Sequence, residues 1–134
     1  MIVVDLDNNK YDWKYGVKDA LMLDRQFSGL HVKARELVRE RFPTLEILEE
    51  VPFKPRYKDR KTLYIDFYLP LRKLAIEVQG EQHFKYTPQF HPSRLDFINQ
   101  MRNDREKAEW CELNAIELIL LDFDKVDEWT NQLG

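Results

Sequence analysis

The chain has 134 residues, 43% of them hydrophobic, with 17 aromatic side chains, enough for one domain with a substantial core. A single cysteine, Cys111, excludes an internal disulfide and a cysteine-rich zinc site, and points to a reducing cytosol. No apolar run approaches 18 residues, and the opening MIVVDLDNN lacks the pattern of a secretory signal, so a membrane partner is not expected. The net charge of −3 is unevenly spread: −1 over residues 1–28, +4 over 29–107 and −6 over 108–134. A basic middle beside an acidic tail suits a polyanionic partner, although a mixed, solvated surface would give the same count.

Residues 1–27 form an N-terminal arm or wrap, with a short strand at Ile2-Val3-Val4, and 28–134 form the main domain. Ser28 is an N-cap candidate for a helix through SGLHVKARELVRERF, where Leu30, Ala34, Leu37 and Val38 recur at helical spacing. Pro43 ends it. Alternation of Leu45, Ile47, Val51 and Phe53 with polar positions predicts a strand over roughly 44–53. Lys54, Arg56, Lys58, Arg60 and Lys61 then crowd one loop, which either follows phosphates or simply protects a sheet edge.

Residues 63–84, LYIDFYLPLRKLAIEVQGEQHF, read as two apolar strands joined by a Pro-containing turn. Period-2 alternation places Leu63, Ile65, Phe67 and Leu69 on one face and Tyr64, Asp66 and Tyr68 on the other. Centring the turn on Leu71 and Arg72 sets Asp66 across from Glu77. Facing carboxylates repel, and a divalent cation between them would remove the repulsion, since hard cations prefer oxygen ligands. After an aromatic, Pro-containing loop at 85–92 with His91, a helix spans about 93–113, with Leu95, Ile98, Met101, Ala108 and Cys111 inward and an Asp104–Lys107 pair at i,i+3. Asn114 is a C-cap candidate. AIELILLDF (115–123) reads as a central strand covered on both sides, and 124–133 as a short terminal helix with Val126, Trp129 and Leu133. The order of elements gives an α/β mixed sheet flanked by helices in three layers.

The ordered set Ile65-Asp66-Phe67-Tyr68, then Ala75-Ile76-Glu77-Val78-Gln79-Gly80-Glu81-Gln82-His83, then Asn103-Asp104-Arg105-Glu106-Lys107 on a helix, resembles the PD-(D/E)XK nuclease superfamily. Within it the likeness is to the branch of very-short-patch repair endonucleases and related phage and homing endonucleases, over about residues 28–123. The resemblance implies a restriction-endonuclease-like core and Mg²⁺-dependent cleavage (Mn²⁺ as the other metal) of DNA phosphodiester bonds, by nicking or cutting both strands. It implies a cytoplasmic setting in a bacterial or phage-infected cell, and it allows a homodimer.

Asp66, Glu77 and the carbonyl of Val78 are the implied metal ligands. Gln79 stands where the family motif carries Lys, and a neutral amide can orient water or bind phosphate oxygen but supplies no charge. His83, as proton acceptor, and Lys107, as phosphate stabiliser, are the candidates to fill that gap. Asp104 matches a helix acid of the branch. The acid often given by the first helix has Glu36 as its candidate, with His31 as a replacement. At about 100° per residue those two point about 140° apart, so one at most faces the site. Arg94, Arg102 and Arg105 join the basic loop as backbone contacts. An inactive DNA-binding module on the nuclease fold, or a subunit of a larger complex, is the alternative, and Gln79 is its main support.

Overall fold

A computed structural model describes residues 1–15 and 28–134. Two antiparallel strands, β1 (Ile2–Val4) and β2 (Lys10–Asp12), form an N-terminal hairpin. Helix α1 (Gly29–Arg41) follows, capped by the Ser28 side chain, which accepts from the His31 amide. Strands β3 (Leu48–Phe53), β4 (Leu63–Leu69) and β5 (Leu74–Gln79) come next, with a 3-10 turn at Pro70–Arg72 between the last two. A second 3-10 turn, Glu81–His83, leads through a loop to α2 (Arg94–Leu113), opened by a Ser93–Asp96 capping box and closed by Asn114. Strand β6 (Glu117–Asp122), a 3-10 turn and the one-turn α3 (Trp129–Gln132) complete the chain. Among the described residues no helix is long and apolar enough to cross a membrane.

The four-stranded sheet runs β3-β4-β5-β6, antiparallel except for the parallel β5–β6 pair, so the fold is a mixed α/β sheet. One hydrophobic cluster joins Phe67, Leu69, Leu74, Ile76 and Leu121 to Ala34 and Val38 of α1 and to Trp129 and Leu133. The other joins Val51, Phe53, Ile65, Tyr68 and Ala75 to Trp110 and Cys111 of α2 and to Val3 and Trp13 of the hairpin. Strand β5 divides its side chains alternately between the two, as a pleat requires. Residues 1–15 are thus bound into the core, while the rest of the expected arm, 16–27, lies outside the described residues.

Four expectations change. Alternation along β4 breaks at Asp66: Leu63 and Ile65 pack towards Trp110, Phe67 and Leu69 towards Val38, so they do not share one face. The cause is local. Opposite Asp66, Glu50 adopts φ +53°, left-handed backbone that interrupts the regular pleat of β3. Second, among the described residues β6 lies at the edge of the sheet, with Leu120 exposed. Third, Leu95 and Ile98 are 61% and 53% exposed and Ala108 is also exposed. Only the last turns of α2 lie in the core, on Trp110 and Cys111, while Gln100 and Lys107 earlier in the helix meet polar groups, the His83 ring and the Tyr64 carbonyl. Fourth, Asp104 and Lys107 do not bond each other: Asp104 takes His83 and Lys107 takes Glu77.

Candidate metal centre

Where β4 meets β5 the ladder runs through Leu69–Leu74, Tyr68–Ala75 and Phe67–Ile76. One step on, Asp66 and Glu77 stand opposite each other, and side chains replace the ladder. The Asp66 amide donates to Glu77 Oε1 at 3.2 Å, and the Val78 amide donates to Asp66 Oδ2 at 2.8 Å. Glu50, between the Glu49–Phe67 and Val51–Ile65 pairs, brings a third carboxyl into this row.

The repulsion is handled first by a lysine. Lys107 reaches from α2 to donate to Glu77 Oε1 at 2.8 Å and to the Tyr64 carbonyl at 2.6 Å. Burial works against its ammonium, but Glu77, Asp66 and Asp104 outweigh that and hold its pKa above the ordinary value. Among the described residues Asp66 has no cation bonded to it directly. Burial first, then the Glu77 charge, push its carboxyl up to about 7, against the Val78 amide and Lys107.

On the α1 side, His31 stacks on Phe67 at 4.6 Å and bonds Glu49 Oε1 through Nε2 at 2.8 Å. Arg35 holds both Glu49 oxygens at 3.0 Å. Burial opposes the Glu49 charge, but His31 and Arg35 more than offset it and bring its pKa down to about 2. A neutral imidazole donating from Nε2 leaves Nδ1 with the lone pair, the carboxylate–histidine arrangement that surrounds many bound metals.

His31, Glu50 and Asp66 each offer a donor atom, and these atoms lie within 4.8 Å of one another. Cis ligands on a divalent cation with bonds of about 2.1 Å stand roughly 3 Å apart, so small side-chain movements suffice for the three to share an ion. The donor set, one nitrogen and two carboxylates with one carboxyl poised to lose a proton, fits a divalent cation. These three residues line a cleft of about 590 Å³ with Glu77, Val78, His83 and Lys107.

The structure therefore gathers Asp66, Glu77, Val78, His83 and Lys107, with Asp104 behind His83 at 2.8 Å. It does not bring in Glu36, which is exposed on α1, and His31 is the α1 residue at the cleft. Gln79 ends β5 opposite Asp122 and is not among the cleft-lining residues. Glu50 is the residue that sequence reasoning passed over. Its signal was a fault in the alternation of 45–53, where Glu49 takes a position that the pattern reserves for an apolar side chain.

The basic loop is less free than its composition suggests. Arg56 pairs with Asp7 of the hairpin and, at 3.7 Å, with Glu106, and Lys61 pairs with Glu106 at 2.8 Å. Lys58 and Arg60 are exposed, as are Arg102, Arg105 and Arg94, the last lying 5.4 Å over the Tyr86 ring. Lys54 is half-buried.

No family model and no solved structure matches the chain. It is similar to three viral proteins. Uncharacterized protein 307L of Invertebrate iridescent virus 6 is 42% identical over 57 residues, 42% of this chain and 29% of that protein. Uncharacterized protein 094L of Frog virus 3 (isolate Goorha) is 38% identical over 60 residues, 44% of the chain and 39% of the relative. Uncharacterized protein 033L of Invertebrate iridescent virus 3 is 33% identical over 57 residues, again 42% and 29%. The chain spans between 29% and 39% of the length of these relatives.

Proposed function

We propose that this chain is a metal-dependent endonuclease that hydrolyses DNA phosphodiester bonds on a three-layer, restriction-endonuclease-like core. The observation that carries the reading is the convergence of His31, Glu50 and Asp66 within 4.8 Å in the cleft that Lys107 also lines. The sheet with helices against both faces, and acids at the break between two antiparallel strands, agree with the resemblance seen in the sequence.

His31, Glu50 and Asp66 would hold a divalent cation, Mg²⁺ or Mn²⁺, whose Lewis acidity acts on the scissile phosphate. Glu77 has a different part from the one expected of it: through Lys107 it keeps an ammonium in the cleft, where phosphate charge is stabilised. That ammonium supplies the charge that Gln79 cannot. His83, bonded to Asp104, is the group placed to take a proton from the attacking water. The exposed Lys58, Arg60, Arg102 and Arg105 would bear on the phosphate backbone.

Supercoiled plasmid incubated with the protein and Mg²⁺ or Mn²⁺ tests this. Nicking is expected in at least one metal, with Asp66→Ala and Lys107→Ala each lowering the rate by more than a hundredfold, roughly the loss of one electrostatic stabiliser. Absence of nicking in both metals, or a wild-type rate in Asp66→Ala, refutes the enzyme.

A further inference from the structure

The aromatic loop between the Glu81–His83 turn and α2 takes no part in the metal centre, yet it is closely built. The Phe84 amide donates to the Glu81 carbonyl at 3.0 Å, and the Phe90 and His91 amides both donate to the Thr87 carbonyl, at 2.9 Å and 2.8 Å. The Thr87 amide donates in turn to His91 Nδ1 at 3.0 Å. His91 is 2% exposed and lies between the Tyr86 and Phe97 rings, with centroids at 6.0 Å and 5.3 Å. A loop tied through its backbone and plugged by a buried ring holds its outer side chains in place.

Two of those side chains are phenylalanines turned outward: Phe84 is 50% exposed and Phe90 56%. A single bare apolar side chain is ordinary on a protein surface, whereas a group of them beside a polar site marks a place of contact. Phe90 lines the cleft together with Phe123, and Phe84 packs on Phe123 with ring centroids 5.7 Å apart. The same cleft is lined by His31, Glu50, Asp66 and Lys107. It thus joins charged groups, suited to a cation and a phosphate, to aromatic rings that neither of those would use. A nucleotide has both halves, an anionic phosphate and a flat base. Inside a duplex the faces of a base are covered by its neighbours, so protein rings reach them only where the base is unstacked.

We propose that Phe90 and Phe123, backed by Phe84, receive the unstacked base of a nucleotide whose phosphate lies at the metal centre, so that the substrate is single-stranded DNA or the frayed end of a duplex. The placing of the phosphate rests on the nuclease reading, whereas the hold of the aromatic lining on a bare base does not. Stacking uses a face that every base has, so sequence matters little to it. Arg94, exposed and 5.4 Å over the Tyr86 ring, adds positive charge beside the loop for the strand's backbone.

Fluorescence anisotropy on the full chain in EDTA, where nothing is cut, tests this with a labelled DNA strand of about 12 nucleotides, within the span one such site covers. The same strand annealed to its complement and a base-free strand of equal length serve as comparisons. Wild-type protein should bind the intact strand about tenfold more tightly than either, the contribution of one stacked base. Phe90→Ala should remove that margin, Phe90→Tyr should keep it, and the base-free strand should bind wild type and Phe90→Ala alike. Equal affinity of wild type for the intact and base-free strands overturns the proposal without any variant. So does a folded Phe90→Ala that keeps the margin, or one that loses duplex and single strand equally. Plasmid nicking with Mg²⁺ or Mn²⁺ separates the two readings: the margin without nicking refutes the nuclease alone, and nicking without the margin refutes the stacking site alone.

Discussion

Glu49 and Asp66 sit on adjacent strands at the same end of the sheet, and their carboxyls are driven in opposite directions. Glu49 has an arginine and a histidine on it and is held at about 2, whereas Asp66 has a carboxylate neighbour and is pushed up to about 7. The two differ in depth, which weighs first on Asp66, and in what stands beside them. A carboxylate already supplied with positive charge is finished structure. One left short of it, with His31 and Glu50 close by, is where the proposed cation would add most.

The largest expected break concerns the lysine that serves the Asp66 side. Lys107→Met leaves Glu77 buried without its partner and should cost about 3–5 kcal/mol in urea unfolding, most of it recovered by adding Glu77→Gln. A loss below about 1 kcal/mol would show that Glu77 does not depend on Lys107.

Next comes Asp66 itself. Its folded pKa of about 7 exceeds the unfolded value, so between pH 4 and 7 the folded state holds a proton that the unfolded chain has shed. The metal-free protein therefore loses stability as pH rises through that window. Asp66→Asn keeps an acceptor for the Val78 amide and removes the titration. It should match wild type near pH 4 and be the more stable of the two at pH 8. Stabilisation of wild type by Mn²⁺ should grow over the same window and be absent in Asp66→Asn.

Glu49 should show the reverse sign. Its folded pKa of about 2 lies below the ordinary value, so its contribution is present above pH 4.5 and lost as pH falls towards 2. Glu49→Gln should cost about 2 kcal/mol at pH 7 and nothing near pH 2. Equal pH profiles for the Glu49 and Asp66 variants would erase the contrast. The smallest effect is on the exposed loop: Lys58→Glu with Arg60→Glu should alter stability by no more than about 0.5 kcal/mol. It should also flatten the salt dependence of DNA affinity by roughly two phosphate contacts.

Local grammar was legible where it is self-contained. Ser28 caps the helix it was expected to cap, Asn114 closes α2, and Asp66 faces Glu77 because a short turn fixes the register. What escaped depends on contacts between distant segments. Glu50 reaches the site only because φ +53° breaks β3, and an isolated Glu-Glu step in a strand does not announce that. Leu95 and Ile98 obey helical periodicity yet face solvent, since the sheet ends before the first half of α2 does. Glu36 and His31 were separable only by knowing which side of α1 meets Phe67. The second hairpin strand, Lys10–Asp12, is too short and polar to read without Trp13 buried beside Trp110.

At Asp66 and Val78 the seam between two strands is closed by side chains that exchange bonds with each other's backbone. Were the proposed ion to draw either carboxyl aside, an amide contact would lengthen, and the spacing of β4 from β5 would follow the ion. Amide hydrogen exchange at residues 66 and 78 would then report occupancy of the cleft directly, without substrate and without a label at the site.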